Sequence, residues 1–340
     1  MIVDPSTLAR LRRAMLPMDG TIADHAEPIL AAVADAVPPA RREALTYVDL
    51  TAGSCLLPLA FAAAGARAVV VNDIAARSTI AARALFQGDD VTTTRLADAL
   101  AGHCRMRMHA PSFAFASDYL TSGACATFDR LFHADLPRRQ VATLRYLAVR
   151  EVLGFADAED GFRILMTHDQ AQLRADRETD WRSFLAHHGG AAARLETMRS
   201  DMADARCALR TTRIRVLQAD MRDIANRIDY DGPCLVAVNP PTNGIDEYVI
   251  EDQIVHSLIS NRLVPLTRCT EGPAEFWCSR VDAALSPLPS GTLFLVWGGD
   301  GALDIDACLA RWRRFGDAIH CANVDLGSGR KAQWGIFRRR

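Results

Sequence analysis

The 340-residue sequence predicts an open α/β sheet interrupted by a helical insertion. Short, continuous apolar runs end abruptly in polar residues: Val69-Val70-Val71 before Asn72-Asp73, and Leu235-Val236-Ala237-Val238 before Asn239. Such runs, separated by helical stretches, belong to parallel strands buried on both faces. Strand signals are scarce from residue 91 to residue 212, and they resume at residue 213. The expected organisation is therefore a sheet domain built from residues 1–90 and 213–340, with residues 91–212 as the insertion.

Taken in order, "ADHAEPILAAVADAV" (23–37) reads as a helix and "TYVDL" (46–50) as a short strand. "TAGSCLLPLAFAAAGA" follows as a small-residue turn and an apolar helix, "RAVVVND" (67–73) as a second strand, and "IAARSTIAARALF" as a helix. Strand, helix and strand in this order make a βαβ unit. After the insertion, "RIRVLQAD" (213–220) is a strand, "MRDIANRI" a short helix, "CLVAVNPP" a strand and "GTLFLVWGGDG" (291–301) a further strand with a glycine-rich exit. Two strand-like runs around "LGSGRKA" read as a closing hairpin.

Composition is that of a water-soluble globular chain, 49% apolar and 24% charged. No apolar run reaches the roughly 20 residues of a membrane helix, and the first residues lack the apolar core of a signal peptide. A cytoplasmic protein with no membrane partner is expected. The nine cysteines form no C-x-x-C pair and have no zinc-like spacing with histidine, so no metal site is expected. Lys331 is the sole lysine, which nearly excludes catalytic-lysine chemistry; the formal net charge of −2 carries no global basic signature.

In open parallel sheets, ligands sit at the carboxyl ends of strands. The first strand ends in "DLTAGS", where Gly53 removes the Cβ that would block a ligand's approach to the backbone. The second ends in Asp73, placed to accept from ribose hydroxyls, 20 residues after Gly53. The third ends in Asp220-Met221, a carboxylate for an adenine amino group and a side chain to pack on the ring. The fourth runs into Asn239-Pro240-Pro241, where proline cannot donate to the ladder and the strand must stop. The Asn239 side chain and the Pro240 carbonyl offer two acceptors to one exocyclic amine, so positioning and electrostatics would drive a reaction at that nitrogen.

These segments resemble the S-adenosylmethionine-dependent DNA adenine-N6 methyltransferases of the Dam-like class. "DLTAGS" (Asp49–Ser54), "NDI" (Asn72–Ile74), "ADM" (Ala219–Met221) and "NPPT" (Asn239–Thr242) follow the family's order, and "MLPMDGTIADHAEPILAAV" falls where the family closes a segment over the donor's methionine. The resemblance implies a Rossmann-like class I methyltransferase sheet, S-adenosylmethionine as cofactor and nucleic acid, in the first place DNA, as partner, with residues 91–212 as the target-recognition region. Asp49, Thr51, Gly53, Asp73, Ile74, Asp220 and Met221 would hold the donor; Asn239, Pro240, Pro241 and Thr242 would form the catalytic tetrad. The sequence departs from the family at Thr51, where a phenylalanine is usual, and in the N-terminal segment, where His25 or Asp19 stands near a missing lysine. Thr242 replaces the ring that stacks on a flipped base, leaving Tyr248 and Trp277 as substitutes. Two alternatives follow: an amino-methyltransferase acting on RNA or protein, or a catalytically silent scaffold that binds a protein partner.

Residues 174–215 contain nine arginines against six acidic residues, which suits either a phosphate-binding surface or a solvated face with internal ion pairs. His168-Asp169 and His187-His188 read better as solvated or capping residues than as catalytic ones. "WGGDG" (297–301) suits a donor pocket or a tight turn equally.

Overall fold

The structure is a computed structural model that describes residues 3–16, 25–102, 112, 121–158, 190–211, 213–228, 230–239, 255–262, 273–298, 310–327 and 330–340. The chain divides into two compact units. Met1–Thr79, Cys207–Tyr248 and Arg268–Arg340 form the first; Ile80–Arg206 and Val249–Thr267 form the second.

The strands are β1 (Thr46–Asp49), β2 (Ala68–Asn72), β3 (Arg213–Leu217), β4 (Cys234–Val238), β5 (Leu293–Gly298), β6 (Gly316–Gly327) and β7 (Arg330–Arg339). They form one seven-stranded sheet in the order β3-β2-β1-β4-β5-β7-β6. The first five run parallel, and β7 lies antiparallel between β5 and β6. This is a Rossmann-like α/β sheet, with the closing hairpin that the C-terminal sequence predicts. Every residue of β1, β4 and β5 is buried, which is why their sequences are continuous rather than alternating.

The helices are α1 (Pro5–Ala14), α2 (Ala26–Ala36), α3 (Pro39–Arg42), α4 (Leu56–Ala63), α5 (Ala76–Gln87), α6 (Thr93–Leu100), α7 (Ser122–Phe132), α8 (Arg138–Ala158), α9 (Ala191–Cys207), α10 (Met221–Ile224) and α11 (Pro273–Leu285). The sequence reading passes over α1, although its start is marked: Asp4 accepts from the Thr7 amide at 2.9 Å and Pro5 takes the first helical position. All eight residues of α4 are buried, which accounts for its lack of a polar stripe. The described part of the second unit is helical. There α7 and α8 pack on each other, Thr92 and Thr121 cap α6 and α7, and Arg194 pairs with the buried Glu151 at 2.6 Å.

The strand order reverses at β1. The chain builds outward through β2 and β3, then returns to lay β4 on the other side of β1. The carboxyl ends of β1 and β4 therefore flank the topological switch point, where open α/β sheets bind ligands. A buried amide ties this end of the sheet together. Asn72 closes β2 with no solvent exposure. Its Nδ2 donates to the Leu50 and Ala219 carbonyls at 3.0 Å each, and its Oδ1 accepts from the Ala219 amide at 3.1 Å. Its own carbonyl accepts from the Ala52 amide at 3.0 Å. One side chain thus joins the exits of β1, β2 and β3.

Removing it should be costly. In Asn72→Ala, two carbonyls and one amide lose their partner, so urea unfolding should report a loss of about 2–4 kcal/mol, from roughly 1 kcal/mol per bond plus the penalty for buried groups left unsatisfied. Asn72→Asp should be at least as damaging, because its carboxylate would face both carbonyls. A loss below about 0.5 kcal/mol in either variant would show that the clamp is not structural.

Candidate functional site

The β1–β4 ladder continues one step past the strands, with the Leu50 amide donating to the Ala237 carbonyl at 3.0 Å. In a parallel pair, the next bond would run from the Asn239 amide to the Leu50 carbonyl. That carbonyl already accepts from Asn72 Nδ2. The Asn239 amide turns instead to Thr51 Oγ1, at 2.6 Å. The two chains part here, and the Thr51 hydroxyl stands in for the ladder acceptor. Thr51 is therefore a polar link between the first loop and Asn239 at the end of β4.

Asp49 sits beneath this link, buried at the end of β1. Tyr47 lies two residues earlier on the strand and so shares its face. The buried Tyr47 hydroxyl donates to Asp49 Oδ2 at 2.7 Å, while the Thr51 amide donates to Oδ1 at 3.1 Å. The Tyr47 ring stacks on Phe61 at 4.0 Å. Burial pushes the Asp49 carboxyl up to about 7; the two hydrogen bonds pull it down, and the neighbouring Asp73 carboxylate raises it further.

Asp73, also buried, organises the loop between β1 and α4. Its Oδ2 accepts from the Gly53 amide at 2.8 Å and its Oδ1 from the Ala75 amide at 2.8 Å. Gly53 has φ +49°, the left-handed region that a glycine enters without strain. Cys55 has φ +69° without being glycine, and it is fully buried at the start of α4. The chain thereby reverses in six residues and presents the Leu50–Cys55 loop to the sheet's carboxyl edge. Next to Asp73, Ile74 is 64% exposed, the most exposed of the large apolar side chains among the described residues.

Asp220 and Met221 both have partners within the chain. Asp220 caps α10 and accepts from the Arg222 amide and Nε (both 3.0 Å), Arg222 Nη2 (2.7 Å) and Arg280 Nη1 (2.6 Å). Arg222 holds its carboxyl down at about 2, with Arg280 adding to the effect. Four donors fill the acceptor capacity of a carboxylate, so an adenine amino group would have to displace one of them. Met221 is buried in the core with Ile224, Val236 and Val238 rather than standing free as a platform.

Asp49, Thr51, Gly53, Asp73 and Asn239 are thus joined by hydrogen bonds either directly or through backbone atoms between them. Pro240, Pro241, Thr242, Tyr248 and Asp19 lie outside the described residues, as do His168, Asp169, His187 and His188. Trp277 falls within α11, and its ring is likewise outside them. The other N-terminal candidate, His25, begins α2 with its ring 5.4 Å from that of Trp297 at the end of β5. Of "WGGDG", Trp297 and Gly298 end β5 and the rest lies outside the described residues.

Sequence reasoning missed Tyr47, for which the i, i+2 spacing to Asp49 was the available signal, and the clamping role of Asn72. In the arginine-rich run, Arg194, Arg199 and Arg206 pair with Glu151, Glu196 and Asp90. Among the described residues these three belong to internal ion pairs; Arg210, Arg213 and Arg215 are exposed. No group of three His, Cys, Asp or Glu side chains suited to a metal occurs among the described residues, and no described helix is long and apolar enough to cross a membrane.

No family model matches the sequence, and no curated protein matches it. Among solved structures, the chain is similar to the rRNA methyltransferase AviRa from Streptomyces viridochromogenes, with 12% identity over 99% of this chain and 94% of that one and a TM-score of 0.38. The functional assignment therefore rests on the site's own geometry and on the sequence motifs.

The Asp49 environment has a measurable consequence. Its folded value of about 7 lies above the ordinary 3.8, so the folded state holds the proton more tightly than the unfolded chain. The resulting stabilisation is complete below the ordinary value and is lost as pH rises through 7, at about 1.4 kcal/mol per pH unit where the two states differ by a full proton. In Asp49→Asn, the Tyr47 hydroxyl can rotate to accept from the amide, so the fold should persist. Thermal melts from pH 4 to 8 should fall more steeply for wild type than for Asp49→Asn. Parallel curves would mean that Asp49 is ionised throughout.

Proposed function

We propose that the chain is an S-adenosylmethionine-dependent methyltransferase acting on an exocyclic amine, with N6 of adenine in DNA as the first acceptor. The single observation that carries this reading is the hydrogen-bonded union of Asn239 with the Asp49–Cys55 loop at the topological switch point.

The donor set suits this cofactor. Asp73 brings a carboxylate to this loop, and Asp49 a buried carboxyl that a neighbouring cation would ionise. Gly53 lets that loop turn closely, and Ile74 offers an exposed apolar surface for a purine ring. S-adenosylmethionine, when bound, supplies an electrophilic methyl group on a sulfonium. The chain's part is to hold and orient. The Asn239 side-chain carbonyl and the Pro240 carbonyl accept from the amine and keep its lone pair aimed along the transfer axis. Positive charge that develops on the accepting nitrogen would be stabilised by the Asn239 side-chain oxygen, and the proton that nitrogen loses would pass to solvent.

Thr242 favours an unpaired acceptor. A threonine cannot provide the base stacking worth about 1–3 kcal/mol that an aromatic side chain would. Extruding a base from a duplex should therefore be poorly compensated, whereas single-stranded DNA or RNA requires less unstacking.

Transfer of a labelled methyl group to duplex DNA, single-stranded DNA, RNA and protein in parallel tests the reading. Incorporation should be greatest in an unpaired adenine-containing strand. Asn239→Ala should abolish it while leaving donor affinity by calorimetry within about twofold, since the residue acts on the acceptor. Full activity in Asn239→Ala would remove the amine-holding role. Donor binding with no transfer to any acceptor would favour the silent scaffold instead.

A further inference from the structure

We infer that the Thr51 hydroxyl is a positioning residue for methyl transfer, setting the place of Asn239 relative to the donor loop. The inference rests on the proposed reading of the site and assigns to Thr51 a role toward the acceptor rather than the donor.

The argument is one of hydrogen-bond accounting at the end of the β1–β4 ladder. Residues 46–49 and 234–237 pair in regular parallel register, and the Leu50 amide extends the pattern to Ala237. The acceptor due next to the Asn239 amide in a regular ladder is the Leu50 carbonyl, which accepts from Asn72; the Asn239 amide leaves the ladder here. Asn239 would be left with an unmet amide at the point where two prolines follow and no amide of Pro240 or Pro241 can re-anchor the chain. Thr51 Oγ1 supplies that anchor at 2.6 Å. A backbone amide fixed in this way sets the origin of the Asn239 side chain.

Thr51 is well suited to transmit that position. It is half-buried, and its own amide is bound to Asp49 Oδ1. The same residue therefore touches the buried carboxylate on one side and the amine-holding segment on the other. A threonine is stiff about χ1, so its hydroxyl is a defined point rather than a mobile one. A phenylalanine at this position, as in the resembled family, could not make the bond.

Thr51→Val is nearly isosteric and lacks the acceptor; Thr51→Ser keeps it. With an adenine-containing single-stranded DNA oligonucleotide as acceptor, Thr51→Val should lower kcat about 10- to 100-fold, the range expected for a small misplacement of a positioning group. Donor affinity by calorimetry should stay within about twofold, and Thr51→Ser should recover most of the lost kcat. Hydrogen exchange at the Asn239 amide should be slow in wild type and Thr51→Ser and fast in Thr51→Val, a readout that does not need turnover. Should Thr51→Val fail to fold, Thr51→Ala carries the same expectations.

Wild-type kcat in Thr51→Val would overturn the inference while leaving the proposed function intact. So would a loss accounted for wholly by weaker donor binding. If wild type transfers methyl to none of DNA, RNA or protein, the proposed function fails and the positioning role fails with it.

Discussion

The structure of this site depends on a neutral amide buried where three strands end. Asn72 spends both its donors and its acceptor on backbone groups of neighbouring exits, so its side chain does what a ladder would do if the strands continued. Asn72 donates to the Leu50 carbonyl at the point where the Asn239 amide turns from the ladder to Thr51 Oγ1. The geometry at the switch point is therefore set by side chains as well as by strand order. Asn72 fixes the strand exits beside it, and the Thr51 hydroxyl supplies the Asn239 amide with an acceptor where the ladder ends.

Around that frame the electrostatics are unusual. Asp49 is buried, and the groups acting on it are the Tyr47 hydroxyl, the Thr51 amide and the Asp73 carboxylate, none of them a cation. Neutral donors soften the cost of burying a carboxylate but do not offset it, which is why its proton is retained to near neutrality. A cationic ligand placed beside the pair would favour the ionised form. Binding such a ligand would then release a proton near pH 7, and affinity would rise with pH across that region. Asp220 is the contrasting case: two arginines hold it ionised, and it serves as a cap and ion-pair hub. Two carboxyl groups at the ends of β1 and β3, with β2 between them, thus differ in their partners.

Much of the sheet was legible from the sequence because buried parallel strands write themselves as short apolar runs with polar ends. Val69–Asn72 and Leu235–Asn239 needed no other signal. The helix α1 escaped because its apolar positions are sparse and its cue is local, an aspartate followed by a proline. In the site, Asp49, Gly53, Asp73 and Asn239 could be picked out because their residue types and strand-end positions carry meaning along the chain. The partners of Asp220 could not: Arg280 lies 60 residues further on, and only folding reveals that it meets the carboxylate. The same holds for Thr51 and Asn239, whose bond spans 188 positions. A motif reports which residues a strand end offers, whereas long-range partners decide which of them remain free to act.

The loop between β1 and α4 is also set before any ligand arrives. Cys55 occupies the left-handed region, which costs a residue with a Cβ about 1–2 kcal/mol. Such a conformation persists only where the surroundings over-determine it. Here the Cys55 amide donates to Ala52 at 2.7 Å, the Ser54 carbonyl accepts from the Leu16 amide at 3.3 Å, and Asp73 holds the Gly53 amide. The buried Cys55 side chain leaves no room for the loop to relax outward. The entropy of ordering this loop is therefore charged to folding rather than to binding. A ligand that fits the preset loop gains affinity it would otherwise spend on organising it, and a change at Leu16 or Cys55, remote from any reacting atom, acts on binding through the loop's shape.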